Sequence, residues 1–197
     1  GSMILQSDYE LAAVAEITWS NGSASDGVTS GTYTGYANGS TVMYMPFVVY
    51  APNAQFTRVS VQNTEDSVAN IQMQYINRDG QTDFTITDSI DGLGSKTYDM
   101  HVPGPKIPVW ANSPYYQSRG NWGGALKITS LNNKEIVAVA TNHWQQWAVA
   151  YNGASSGAET NYVPSAERRI DGNLARGFSV IIAQCLESSG TCAVQLQ

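Results

Sequence analysis

Apolar and polar residues alternate along most of the chain in short stretches that end at turn-forming residues. In residues 57–61 and 71–75 the alternation has a period of two, which is typical of strands with one face toward a core and the other toward water. Dipeptides such as Asp79-Gly80 and Asp91-Gly92 separate these stretches. The pattern therefore predicts eight strands in the central part of the chain, at residues 42–50, 56–62, 71–77, 84–87, 96–102, 124–130, 136–141 and 146–151.

Helix is expected to be scarce, because no segment combines ten or more residues of helical period with capping residues. Short strands at regular spacing between turn signals favour two packed antiparallel sheets. The predicted fold class is therefore all-β, an immunoglobulin-like antiparallel β-sandwich.

Three blocks of sequence recur in the same order about 120 residues apart. Their offsets are 125, 118 and 122, and the difference of seven between the first two predicts a longer loop around residues 21–30 in the first copy. The chain thus holds about 1.6 copies of a repeat. The corresponding residues are 10–15 with Trp19 and 135–140 with Trp144; Tyr33, Gly35, Gly39, Tyr44, Pro46 and Tyr151, Gly153, Gly157, Tyr162, Pro164; and Phe56, Gln62, Glu65 and Phe178, Gln184, Glu187.

This repeat divides the chain into four parts. Residues 1–3 are interpreted as a tag remnant, 4–41 as closing strands of one repeat, 42–164 as a complete repeat and 165–197 as opening strands of the next. The two partial copies are predicted to complete a second sandwich, within one molecule or between molecules. In that arrangement strands at 9–17 and 32–36 pair with strands at 160–164, 178–184 and 192–196.

The charge composition excludes several partners. Only 13% of the residues are charged and the formal net charge is −6, whereas binding to nucleic acid or an anionic membrane requires clustered Lys and Arg. The apolar runs are far shorter than the ~20 residues of a membrane-spanning helix. We therefore expect no nucleic-acid partner and no membrane insertion.

The two cysteines, Cys185 and Cys192, flank a hairpin-like turn. Their equivalents in the complete copy are Asn63 and Asn70, which flank the corresponding turn. We predict a structural disulfide, which points to an oxidising, extracytoplasmic compartment; the alternative is a pair of reduced buried thiols. A zinc site is disfavoured because tetrahedral zinc needs four ligands and no histidine lies nearby.

Catalysis is not expected. His101 and His143 belong to no recognisable motif, and the chain has no G-x-S-x-G elbow. The glycine-rich residues 120–124 lack the following Lys-Ser/Thr of a phosphate-binding loop. No metal site or cofactor is assigned, apart from the calcium candidate below.

Sugar binding is the main alternative to a purely structural role. Residues 103–123 form the longest irregular stretch of the complete copy, and exposed aromatic rings stack on sugar faces. The candidate residues are Trp110, Tyr115, Tyr116 and Trp122. The competing interpretation is that this stretch packs over an open end of the sandwich.

Calcium is a further candidate ligand. Closely spaced carboxylates at Asp79, Asp83, Asp88 and Asp91 are oxygen ligands of the kind that Ca²⁺ prefers. These residues lie in two short segments, 77–83 and 88–92, and neither segment is a complete EF-hand loop. Ordinary Asp-Gly turns explain the same residues.

The order of these motifs resembles the tandem repeats in large secreted or surface-exposed proteins of filamentous green non-sulfur bacteria. The residues that carry the resemblance are 128–130, 135–140, 150–157, 162–164 and 56–64. The chain departs from those repeats at Glu10 and Glu135, where they often have proline, and in its cysteine pair. The resemblance implies an extracellular β-sandwich without an assigned activity.

Together these observations predict a secreted, cell-surface structural or adhesive repeat module without catalytic activity. Its expected partners are neighbouring repeats or further copies of itself. A carbohydrate-binding module that uses the aromatic residues of 103–123, with surface glycans as ligands, is the alternative.

Overall fold

The computed structural model describes residues 2–20, 28–144, 147–161, 181–186 and 192–193. The chain forms two compact units, residues 1–155 and residues 156–197. The predicted all-β fold is confirmed, since the described residues form antiparallel strands, one 3-10 turn and one short α-helix. None of the helices in these residues is long and apolar enough to cross a bilayer. The elements are β1 Val14–Ser20, β2 Val28–Thr34, β3 Val42–Ala51, β4 Gln55–Asn63, β5 Ala69–Asn77, β6 Thr82–Ile90, β7 Ser95–Asp99, the 3-10 turn Trp110–Asn112, α1 Pro114–Arg119, β8 Trp122–Ser130, β9 Ile136–Trp144 and β10 Trp147–Asn152.

Strands β3 to β10 form two antiparallel ladders. One has the order β3-β8-β5-β6 and the other β7-β4-β9-β10. Strand pairing joins the two ladders at Tyr50 with Phe56 and at Ala51 with Gln55. The turn between them contains Asn53 at φ 57°, a conformation that asparagine tolerates better than most residues. The chain therefore changes from one ladder to the other at this tight corner.

The inward faces of both ladders share one hydrophobic core. In β5 the side chains of Ile71, Met73 and Tyr75 are fully buried, whereas the intervening Gln72 and Gln74 are partly exposed. Burial of each large apolar side chain contributes about 1.5–3 kcal/mol. Two ladders over one core are consistent with the predicted β-sandwich. The other strands contribute Met43, Met45, Val48, Val59, Val61, Ile90, Tyr98, Leu126, Ile128, Ile136, Ala138 and Ala140 to this core.

The strand order shares part of the immunoglobulin pattern. With β3 counted as the first strand, the second strand pairs with the fifth (β4 with β7) and the third with the sixth (β5 with β8), as in immunoglobulin domains. The terminal strands differ, because β3 lies beside β8 and β9 beside β4. In an immunoglobulin domain the first strand lies beside the second and the seventh beside the sixth. The immunoglobulin-like type therefore stays a prediction.

The predicted central strands agree with the observed ones to within a few residues. The largest differences concern β6, which extends beyond 84–87 to Thr82–Ile90, and β7, which ends at Asp99 instead of residue 102. The chain turns after β7 because the amide of Val102 donates a hydrogen bond back to the carbonyl of Asp99 at 3.2 Å. Local alternation does not reveal this turn.

The N-terminal hairpin, β1 with β2, is a two-stranded antiparallel sheet that lies against β10. A Cβ added to Gly31 would be 2.8 Å from the backbone nitrogen of Ala150, so this close approach requires glycine. The Asn152 side-chain amide donates to the Thr34 carbonyl at 2.7 Å, and its oxygen accepts from the Thr34 amide at 3.2 Å. The hairpin is therefore attached to β10 by polar bonds and by backbone contact.

The strands predicted at 160–164, 178–184 and 192–196 fall largely outside the described residues. Their described positions, 160–161, 181–184 and 192–193, have no strand assignment. The predicted pairing of these segments with the N-terminal strands stays a prediction.

Candidate functional site

Residues 103–123 contain the short helix α1, which the sequence pattern did not predict. The Ser113 side chain caps α1 by accepting a hydrogen bond from the Tyr116 amide at 3.1 Å, with Pro114 in the first turn. Gly120 ends the helix at φ 69°. The signal was the Ser-Pro pair followed by glycine, but six residues are too few for hydrophobic periodicity to be visible.

Three of the four candidate sugar-binding residues are buried. Trp110 and Tyr115 each have 7% of their surface exposed and Trp122 has none. The two indole rings lie 5.1 Å apart, and Trp110 stacks on Tyr50 at 5.3 Å. The expectation that these rings offer exposed faces to a sugar is therefore wrong for Trp110, Tyr115 and Trp122, because they complete the core beneath this segment.

Tyr116, the fourth candidate, is half-buried and lies 6.0 Å from the ring of Tyr50. Both rings line a groove of about 260 Å³, together with His101, Pro103 and other residues of the same segment. This groove is the place where residues 103–123 retain accessible aromatic surface.

The four candidate calcium ligands take part in different local interactions. Asp83 accepts hydrogen bonds from Asn77, Ser113 and Trp122. Among the described residues, no three His, Cys, Asp or Glu side chains are grouped to hold a metal ion. Asp79 forms an exposed ion pair with Arg119 at 3.3 Å, Asp88 contacts Lys96 at 3.1 Å, and the backbone carbonyl of Asp91 accepts from Gly94.

Asp88 connects the edges of β6 and β7. Burial raises the pKa of this carboxyl, but hydrogen bonds from Ser89, Lys96 and Tyr98 outweigh burial and lower the pKa below its usual value. Lys106 reaches over the same edge and donates to the carbonyl of Thr87 at 2.6 Å. Side chains therefore cover part of the β6 edge that pairs with no strand among the described residues, which limits strand addition there.

An aromatic and histidine cluster lies on the other ladder and was not predicted. The Phe56 ring lies between His101 and His143, with 4.8 Å between ring centroids on either side. Arg58 lies over Phe56 at 5.3 Å and forms an ion pair with Asp99 at 2.6 Å. Burial and the neighbouring Arg58 charge lower the pKa of His143, so its neutral form is favoured.

The predicted disulfide between Cys185 and Cys192 is present, with a Cα–Cα distance of 5.6 Å. At the predicted repeat offset of 122 residues, Cys185 corresponds to Asn63, whose side chain is fully buried. Its amide donates to the carbonyls of Ser67, Ile90 and Asp91, and its oxygen accepts from the Glu65 amide at 3.1 Å. An amide network thus stabilises the turn that follows Asn63, whereas a covalent bond joins the two cysteines.

The N-terminal hairpin and the hairpin β9–β10 have the same register. Ala15 pairs with Tyr33, and their equivalents Ala140 and Tyr151 also pair. Six successive pairs correspond in this way, from Val14 with Thr34 and Val139 with Asn152 to Trp19 with Thr29 and Trp144 with Trp147. The hydrogen bond from Gly35 to Ala13 has its counterpart from Gly153 to Ala138, both at 2.8 Å.

Tyr36 connects the segment after the N-terminal hairpin to the second hairpin. Its hydroxyl lies 2.6 Å from the carbonyl of Ala138 and 2.8 Å from that of Gly153, as a shared donor. Burial raises the pKa of Tyr36 to about 12, so the donor proton is retained at all ordinary pH values.

In comparisons with known proteins the chain matches no family model, no curated protein and no solved structure. The resemblance to the bacterial surface repeats therefore stays a prediction. The arrangement of the described residues, above all the repeated hairpin, is the basis for a functional proposal.

Proposed function

We propose that this protein is an extracellular structural module of a tandem array, which serves spacing, assembly or adhesion at a cell surface and has no catalytic role. The observation that carries the proposal is the common register of the hairpins β1–β2 and β9–β10 over six pairs. Repetition of a structural element within one chain is typical of proteins built by joining similar units. The repeat of about 120 residues, in about 1.6 copies, is part of this proposal.

The extracellular location has two supports. The disulfide between Cys185 and Cys192 is of the kind that persists in oxidising compartments. The resemblance to secreted bacterial repeats points to the same location. The pairs β4–β7 and β5–β8 support an immunoglobulin-like sandwich whose terminal strands are exchanged between the sheets.

Labelling of intact cells tests the location. Antibodies raised against residues 42–154 are expected to label unpermeabilised cells that produce the native protein, and protease added outside the cells removes the signal. Labelling that requires permeabilisation contradicts the proposal. Antibody against a cytosolic protein serves as the control for cell integrity.

Force extension of single molecules tests the structural role. Residues 42–154 are expected to unfold in one cooperative event that lengthens the chain by on the order of 350–400 Å, since extended residues span up to ~3.3–3.6 Å each. Gradual extension without a discrete unfolding event contradicts the proposal that residues 42–154 resist mechanical force as one folded unit.

Carbohydrate binding is a second candidate, favoured only by the groove of Tyr50, His101 and Tyr116. Glycan-array binding that Tyr116→Ala abolishes supports it, with Trp144→Ala as a control, since Trp144 is half exposed and does not line the groove. Absence of retention on any glycan contradicts it.

A further inference from the structure

Both edges of β9 pair with a neighbouring strand, whereas its counterpart β1 pairs on one edge only among the described strands. β9 pairs with β10 on one edge and with all nine residues of β4 on the other. β1 pairs with β2, and within the described part of the chain no strand pairs with its second edge. The backbone N–H and C=O groups along an edge that no described strand occupies can accept an added strand.

The start of β1 shows the same difference. β9 begins at Ile136, which pairs with Asn63 of β4. The equivalents of Ile136 and the two residues after it are residues 11–13, which have no strand assignment, and β1 begins only at Val14. Leu11 is 49% exposed, whereas Ile136 is completely buried. Residues 11–17 thus correspond to the first part of β9, with Ala13, Val14 and Ala15 identical in the two segments, but no strand in the described part of the chain covers them.

A segment that corresponds in sequence to β4 occurs near the C-terminal end of the sequence. Residues 178–185 correspond to β4 at an offset of 122, by the matches of Phe178 with Phe56 and Gln184 with Gln62. Of these, residues 181–185 are described and have no strand assignment. Ile181 and Ile182 are 51% and 39% exposed, although β-branched residues of this kind favour buried strands.

The pairing of β4 with β9 fixes the register of the new contact. Val59 pairs with Ala140 and Val61 with Ala138. Translated by the offsets 122 and 125, these pairs place Ile181 opposite Ala15 and Ala183 opposite Ala13. All four residues are apolar, and Ala13 and Ala15 are only partly exposed. Ile181 would thus face the small Ala15, as Val59 faces Ala140 in the central unit, and Ala183 would face Ala13.

We propose that residues 181–185 of one molecule add as an antiparallel strand to the free edge of β1 in a second copy of this chain. The contact uses different surfaces on the two molecules, so repeated addition produces head-to-tail chains. This inference rests on the proposed function, since it names the partner and the joint through which the modules assemble.

Cysteine crosslinking between two variants tests the register. Purified Ala15→Cys protein is mixed with Ile181→Cys protein and oxidised mildly without reductant, so that the native disulfide stays closed. Directly opposite residues have Cβ atoms about 4.5–5.5 Å apart, close to disulfide geometry. We expect a covalent heterodimer, identified by peptide mass spectrometry, with at least tenfold higher yield than the control pair Glu16→Cys with Ile181→Cys.

The control is matched because Glu16 is adjacent to Ala15 in β1 and more exposed, but its side chain points to the opposite face. Equal yields for the two pairs, or no heterodimer, overturn the proposal. A double variant, Ala15→Cys with Ile181→Cys, tests whether the two segments pair within one molecule: crosslinked monomer at all concentrations overturns the intermolecular contact. Surface labelling that succeeds while crosslinking fails leaves the proposed function in place without this joint.

Discussion

The carboxylate of Asp83 accepts a hydrogen bond from the indole N–H of Trp122 at 2.8 Å. The same oxygen accepts from the Ser113 hydroxyl at 2.6 Å, and Ser113 in turn caps α1. A single carboxylate on β6 thus positions a fully buried indole of β8 and the start of the helix between them. Through these hydrogen bonds the Asp83 carboxylate orients the segment 103–123.

Loss of the Asp83 carboxylate is expected to destabilise the fold. In Asp83→Ala the buried Trp122 N–H and the Ser113 hydroxyl lose their acceptor, and each such loss costs about 1–3 kcal/mol. We expect the free energy of unfolding, measured by chemical denaturation, to fall by about 2–4 kcal/mol. Asp79→Ala is the matched control, because the exposed Asp79–Arg119 pair is worth at most about 1 kcal/mol. Equal effects of the two substitutions contradict this role of Asp83.

Trp110 is expected to stabilise the fold through its packing in the hydrophobic core. Its ring contacts Tyr50, Tyr75, Phe84 and Trp122, and its N–H donates to the Met100 carbonyl at 3.2 Å. Trp110→Ala therefore creates a cavity, with an expected loss of about 3–5 kcal/mol in the free energy of unfolding. The neighbouring Val109, 61% exposed, provides the control: Val109→Ala should change stability by less than about 0.5 kcal/mol. A stable Trp110→Ala protein rules out this interpretation.

Adjacent glycines in β8 are expected to differ sharply in tolerance to alanine. A Cβ on Gly124 would lie 2.0 Å from the carbonyl oxygen of Ile76, which is backbone, whereas on Gly123 it would meet the Arg78 side chain at 3.1 Å. Backbone has to move in the first case and a flexible side chain in the second. Thermal and urea unfolding should show a loss of about 2 kcal/mol or more for Gly124→Ala and about 0.5 kcal/mol for Gly123→Ala. The opposite order contradicts the close approach of β8 to β5.

The titration of His143 gives stability a pH dependence. Its pKa in the folded protein is lowered from 6.5, first by burial and then by Arg58. Below pH 6.5 the unfolded chain therefore binds a proton that the folded protein excludes, so stability is lost as pH falls from 6.5 toward the folded pKa. Melting temperatures between pH 7 and 5 should decline less steeply for His143→Phe, which retains a ring against Phe56. As a control, Trp144→Phe leaves the His143 imidazole in place and should keep the wild-type dependence of melting temperature on pH. If His143→Phe also keeps that dependence, His143 is not the group responsible.

Local patterns predicted the strands but not the position of the aromatic residues. The alternation of Ile71, Met73 and Tyr75 defines the buried face of β5 from neighbouring residues alone. The burial of Trp110, in contrast, depends on Tyr50, Tyr75 and Trp122 from other strands, so its surroundings are not visible in its own segment.

The recurring sequence blocks, which we interpret as a repeat, gave information about residues that lie far apart in the chain. Its offsets differ by seven, and the chain between Trp19 and Thr29 is longer by that number than the chain between Trp144 and Trp147, which pair in the same way. The strand register of one hairpin was therefore implied by the other. The cluster of Phe56, His101 and His143 had no such signal, because its members come from β4, from the turn after β7 and from β9, without a shared motif.

Asn63 and Cys185, which correspond at the predicted repeat offset, differ in chemistry. The amide network of Asn63 is indifferent to reducing agents, whereas the bridge from Cys185 to Cys192 opens when a reductant reaches it. In the tandem array that we propose, a change in the redox conditions of the surroundings would thus loosen only the units that carry the cysteine pair. The environment, and not the fold that the proposed units share, would then determine which unit yields first under mechanical force.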